Sequence, residues 1–265
     1  MARLAGKLQA IVVRDFVTDL SYRLTFAMEL VDGALLVLSY SFLARIFGAT
    51  RPDGYPALDF LIVGIAASSG FGTALLCFAQ GVRGTQATGT IKAVMATPTS
   101  ATTFVLLSSA YPILRSLIDV AMLLGAGALL GLTLSSANIP GAALVMGLGL
   151  LAMAAFGILS AAFAIVFKRG DPVTWLLATV TWLLSGVLYP TAVLPAPLAR
   201  LSWWLPTTHA LSALRALIID GAAIGAVSSH VVFLAGFAAV GVPASVWIFG
   251  RAVRHAKRVG TLGHV

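Results

Sequence analysis

The residues able to do chemistry are few, and several stand where charge is costly. Arg115 and Asp119 lie four apart inside a long apolar stretch, the spacing that puts opposite charges on one helix face. Glu29 and Asp32 lie one turn apart, early in another apolar stretch. An unpaired charge at the bilayer centre costs at least about 2.5–3.5 kcal/mol, so such groups pair or face a wet cavity. Arg115–Asp119 therefore reads as an intramembrane ion pair. Two readings stand for Glu29 and Asp32: the cytoplasmic entrance of a cavity at a dimer seam, or pairing with Arg23 or loop cations. His209, His230, His255 and His264 are scattered and show no metal-ligand spacing. For His209 a structural hydrogen bond is expected rather than a proton-linked role. Cys77 is the one cysteine, which excludes a disulfide framework and a Cys-based metal site. No G-x-x-x-x-G-K-[ST] phosphate loop, H-E-x-x-H or G-x-S-x-G is present. Without a convergent polar set the chain reads as a transporter rather than an enzyme, with no catalytic residue, metal or bound cofactor of its own.

The elements that hold these residues follow from composition. Of 265 residues, 59% are hydrophobic and 10% charged, with a mean hydropathy of +0.99. Soluble domains run at about 45–50% apolar and about 25% charged. A short chain cannot hide that excess from water, and a disordered chain would be polar. The fold class expected is an all-α integral membrane protein. Six apolar stretches are long enough to be read as spans: 24–47, 58–80, 104–134, 142–167, 173–189 and 227–250. The third exceeds what a span needs and is expected to tilt.

Lys and Arg set the orientation. With the N-terminus inside, the cytoplasmic segments hold Arg3, Lys7, Arg14, Arg23, Arg83, Lys92, Lys168, Arg169, Arg251, Arg254, Lys257 and Arg258. The outer segments hold only Arg51, Arg200 and Arg215. That asymmetry places both termini in the cytoplasm and the protein in the plasma (inner) membrane. The formal charge of +8 then speaks for anionic lipid rather than nucleic acid. Charges recur through the first 22 residues, so they lack the apolar core of a signal peptide. Arg3, Lys7 and Arg14 form one stripe opposite Leu8, Val12, Phe16 and Leu20. Residues 1–23 thus read as an amphipathic helix on the inner leaflet, with a solvated helix packed on a partner as the alternative. Residues 251–265 form a basic cytoplasmic tail.

Two segments carry more information. Residues 81–100 open with glycines, then hold a short amphipathic stretch ending at Thr97–Pro98, where proline disfavours helix in the residue before it. Its apolar face (Ile91, Val94, Met95) needs a partner's groove or the inner membrane surface. Residues 184–221 are apolar yet broken by Pro190, Pro195, Pro197 and Pro206. Irregular backbone at membrane depth survives only inside protein or beside a wet cavity, and Trp203 and Trp204 prefer the interface. Two short broken helices dipping back into the outer leaflet between spans five and six are expected.

The pattern Gly186…Pro190…Leu194–Pro195…Leu198…Pro206…His209…Arg215…Gly221 resembles the signature of ABC-2 type exporter permeases. Gly89–Thr90 followed by Met95-Ala-Thr-Pro-Thr-Ser100 is similar to that family's ATPase-contacting loop. Many relatives carry acidic residues before the Gly–Thr pair, where this chain has Gln86 and Thr88. The resemblance covers essentially the whole chain and implies a single transmembrane domain over 1–265. It implies an ATPase-coupling segment comprising Arg83, Gly89, Thr90, Ile91, Met95, Thr97 and Pro98. It implies an outer gate over 190–220, flanked by Gly186 and carried by Pro190, Pro195, Trp203, Trp204, Pro206, His209 and Arg215. Spans one, two and five would line the pathway. The implied partners are two copies of a nucleotide-binding ATPase, which would carry ATP and Mg, a second and identical permease, and membrane lipids. The function expected is export of an amphiphile (drug, lipid or lipid-linked glycan). A polysaccharide substrate and an ion-coupled secondary transporter are the alternatives.

Overall fold

Backbone amides cannot stay unpaired in hydrocarbon, so an apolar chain without a closed barrel must run as helices. The computed structural model describes residues 2–48, 51–87, 101–134, 136–167 and 172–258, and among them every regular element is helical. In chain order these are α1 (Ala2–Ser21), α2 (Arg23–Phe47), α3 (Ala57–Ala87), α4 (Ala101–Ser108), α5 (Ala110–Leu129), α6 (Ile139–Val166), α7 (Pro172–Leu184), α8 (Ala196–Trp203), α9 (Pro206–Ile218) and α10 (Ser228–Arg258).

Among the described residues, five stretches are long and apolar enough to cross a membrane: Leu24–Phe47, Ala57–Thr85, Thr103–Leu129, Ile139–Val166 and Ile224–Ala256. The fifth expected span, 173–189, is shorter than its apolar run. Helix α7 has 13 residues, about 20 Å, against a hydrocarbon core of about 30 Å. It ends because Gly186 turns the chain at φ +73°. The third stretch also differs from its expected 104–134. The helix is interrupted at Ser109, with Pro112 in the first turn of α5, where a missing N–H costs nothing. It stops at Leu129, and Gly131 at φ +112° redirects the chain. In the other direction, the glycines at 81 and 84 do not open a loop, and α3 continues to Ala87.

Burial separates the helices into two classes. In α3 and α6, 67% and 61% of the apolar window is buried within the protein, against 17% in α2 and in α10. Helices α3 and α6 therefore form the core pair, while α2 and α10 show most of their surface to lipid or to another subunit. Lipid is as apolar as leucine, so helices in a bilayer associate by close packing through small residues. Gly157 of α6 lies so near α3 that a Cβ there would stand 2.6 Å from the carbonyl oxygen of Ala74 and 2.8 Å from that of Leu75. Gly149, two turns earlier, faces the ring of Phe71 in the same way. Around this seam pack Phe71, Leu75, Val145, Met153 and, from α9, Leu211 and Leu217, all nearly inaccessible. Cys77 is buried in a second cluster with Phe78 and Ile158.

Two substitutions in α6 test the close approach. Gly157→Ala should lower thermal stability in detergent by about 1–3 kcal/mol, because the methyl meets backbone that cannot yield. Gly147→Ala, where nothing lies within 4 Å, should be neutral or stabilise by up to about 1 kcal/mol. Equal melting temperatures for the two variants would rule out the glycine seam.

Candidate functional site

The broken segment after α7 is organised around one buried cation. Arg215, in α9, is 4% exposed. Its Nη2 donates to the carbonyls of Gly186 (2.9 Å), Val187 (3.0 Å) and Phe60 (3.2 Å), and its Nε to Phe60 at 3.4 Å. The guanidinium carbon lies 3.4 Å from the centroid of the Phe60 ring. No carboxylate lies within 4.0 Å of it among the described residues. The charge is solvated by three carbonyl dipoles and an aromatic face, which ties together the start of α3, the turn after α7, and α9. Gly64 makes room for this, since a Cβ there would fall 2.5 Å from the Val187 oxygen and 2.7 Å from Nη2. Tyr55, in the α2–α3 turn, has its phenol pushed up to about 12, first by burial and then by the charge of Asp220.

Hydroxyls close the rest of the turn. Ser185 bonds Thr207, and Ser202 donates to the carbonyl of Leu184 at 2.6 Å. Pro190 and Pro195 are extended on either side of a short 3-10 turn, Thr191–Val193. Pro206 opens α9 in the first turn, which suits its fixed φ. Trp203 and Trp204 are exposed and meet edge to face at 5.4 Å, the disposition of an interfacial aromatic pair.

His209 does more than the single hydrogen bond expected of it. Nε2 lies 2.7 Å from the Trp203 carbonyl and Nδ1 lies 2.9 Å from Nδ1 of His230. A carbonyl only accepts, so Nε2 of His209 carries the proton and its Nδ1 accepts from His230 in the neutral pair. Phe233 stacks on the His209 ring at 3.9 Å. Burial lowers the proton affinity of His209, and the Trp203 carbonyl opposes that shift in part.

Beneath the turn lies a cavity of about 340 Å³. Ser68, Phe71, Gly72 and Leu75 of α3, Met153 of α6, and Ala178, Thr179, Thr181 and Trp182 of α7 line it, with Ser185, Val187 and Thr207 above. The walls are apolar with a band of hydroxyls. Spans two and five, expected on the pathway, both contribute; span one supplies none of these residues.

Glu29 and Asp32 lie elsewhere, in a cleft of about 510 Å³ between α2, α3 and α5 that Asp119 also lines. Arg115 contacts Asp119 and also bonds Glu29 at 2.6 Å, with Asp19 of α1 at 3.9 Å. Tyr111 donates to that same Asp19. Among the described residues the cation that bonds Glu29 is Arg115, while the loop cations Lys92, Lys168 and Arg169 lie outside them. Asp19, which spoils the amphipathic stripe of α1, is the residue that fastens α1 to α5. Arg83 is exposed on α3, while Gly89, Thr90, Ile91, Met95, Thr97 and Pro98 lie outside the described residues.

The sequence pattern of the ABC-2 type transporter matches residues 6–219, from α1 through the Arg215 anchor and the whole of α9. The chain belongs to the ABC-2 type transporter family. No curated protein matches it. It is accordingly a multi-pass membrane permease of an ABC transporter, a class that associates with an ATPase subunit. In this ABC-2 permease the signature prolines and Arg215 converge on one turn over one cavity.

Removing the anchor should be severe. Arg215→Met removes the donor shared by three carbonyls, two of them outside any helix, and thermal unfolding should report a loss of about 2–5 kcal/mol, with Arg215→Lys intermediate. A melting temperature unchanged in Arg215→Met would refute the anchoring role. His209 has its own signature. Its lowered folded proton affinity stabilises the fold above the unfolded pKa of about 6.5, and that contribution is lost as pH falls below it. Melting should be lower at pH 5.5 than at pH 7.5, and His209→Gln should flatten the difference.

Proposed function

We propose that this permease is the membrane subunit of an ATP-driven exporter and moves an amphiphilic substrate, a drug, lipid or lipid-linked glycan, out of the cytoplasm or inner leaflet. The cavity between α3, α6 and α7 carries this reading. An apolar wall of Phe71, Leu75 and Met153 suits a hydrocarbon moiety, and Ser68, Thr179, Thr181 and Thr207 supply hydrogen bonds for a polar part. Two permeases, identical copies, work with two ATPase subunits, which hold the ATP and Mg. Both termini face the cytoplasm. The exposed face of α7, with Trp175 and Leu176 open, leaves apolar surface for the partner permease.

Coupling runs along α3. This 31-residue helix is about 46 Å long and carries Phe71 and Leu75 at the cavity. Its far end leads into residues 88–100, where the ATPase docks. A shift of the docked segment moves a stiff rod whose middle forms the cavity wall, and the Arg215-anchored turn closes the outer side. A polysaccharide substrate is the second reading, favoured by Trp182 in the cavity wall, whose ring face can stack on a sugar.

Co-expression with its cognate P-loop ATPase tests the assignment. The wild-type pair should co-purify, and Ile91→Asp or Met95→Glu should abolish both association and transport while membrane insertion remains intact. Undiminished co-purification and transport in both variants would remove the coupling role. Failure of the wild-type pair to associate would remove the exporter reading.

A further inference from the structure

A third cleft, of about 490 Å³, opens at the α2–α3 turn, the end of the bundle opposite α1. Two guanidinium groups border it, Arg45 from the last turn of α2 and Arg51 from the turn itself. Neither has a carboxylate within 4.0 Å among the described residues. Ala57 and Leu58, at the first turn of α3, line the same cleft, and amides there lack intrahelical acceptors. Asp59 of that helical turn is buried and faces Thr133 at 3.5 Å, and Asp53 of the α2–α3 turn lies beyond 4.0 Å of both guanidiniums. Among the described residues no acidic one lines the cleft, and the two full cationic charges outweigh the partial negative charge of the α2 C-terminal carbonyls.

Apolar surface of α2 reaches its rim at Arg45. Leu35, Leu38, Phe42 and Ile46 are exposed at helical spacing along the outer face of α2, and the Arg45 guanidinium, on the rim between that face and the cleft, sits 5.5 Å from the Phe42 ring centroid. An exposed face that is oily along a span, with cations at its end, matches an anion carrying a hydrocarbon tail. Paired arginines suit phosphate oxygens because their N–H forks match the geometry. We infer that this cleft binds the phosphodiester headgroup of a membrane phospholipid, with an acyl chain along Leu35, Leu38 and Phe42. The site lies apart from the transport cavity and is independent of the export reading.

Native mass spectrometry of the purified full-length permease tests it, with phosphatidylglycerol as the probe. Phosphatidylglycerol should remain bound through detergent removal, and occupancy should fall about tenfold in Arg45→Gln/Arg51→Gln, the loss expected for one or two charge-assisted hydrogen bonds. The Arg45→Lys/Arg51→Lys variant should retain most of it, because the charge remains. Diacylglycerol, which lacks the phosphate, should not be retained, and millimolar inorganic phosphate should not displace the lipid. Displacement by inorganic phosphate would overturn the headgroup assignment in favour of a free-phosphate site. Equal retention by wild type and the Gln variant, or of diacylglycerol, would leave annular lipid only and overturn the site altogether. Should the double variant elute as aggregate, Arg51→Gln alone, a change in an exposed turn, carries the same comparison.

Discussion

A guanidinium withdrawn from water, with no carboxylate within 4.0 Å among the described residues, has to find its acceptors in backbone, and Arg215 finds them in two separated segments. Its hydrogen bonds to Phe60, Gly186 and Val187 are possible only if α3, α7 and α9 meet within one hydrogen-bond length. Much else follows from that requirement. Position 64 has to be glycine to let the Val187 carbonyl approach. Helix α7 has to stop at Leu184, because the carbonyls Arg215 needs belong to residues that have left the helix. The cavity then opens where it does, below a roof fixed from three sides.

The rest of the bundle is held by the opposite strategy. Between α3 and α6 nothing polar is needed, and contact comes from glycines that bring one backbone against the other. At the N-terminal helices, where packing is sparse, a charged centre takes over: Arg115 joins α5 to α2 through Glu29 and to α1 through Asp19. The α3–α6 pair is joined by shape, and α1, α2 and α5 by charge.

Much of this was legible in residue order and some could not be. Composition fixes the all-helical membrane class, because no soluble surface could be made from so few charges. The i, i+4 spacing of Arg115 and Asp119 puts them together within one helix, and that contact is local. The bond from Arg115 to Glu29 crosses 86 residues, and no periodicity reports it. His209 and His230 pair because α9 and α10 form a hairpin whose turn brings the two rings together; a second histidine one turn before Phe233 was the only clue. Apolar runs overstate helix length, as at 104–134 and 173–189, because hydropathy continues through turns that glycine and proline set. Most of the residues expected to couple to an ATPase lie outside the described parts of the chain.

Helix α7 has a consequence for the surrounding bilayer. Thirteen residues cover about two-thirds of the hydrocarbon depth, and the remainder of that wall is prolines, hydroxyls and interfacial tryptophans. Lipid beside α7 therefore meets a shortened oily wall, and hydrophobic matching favours local thinning of the leaflet there. A polar group moving along this side crosses less oil than beside the full-length spans.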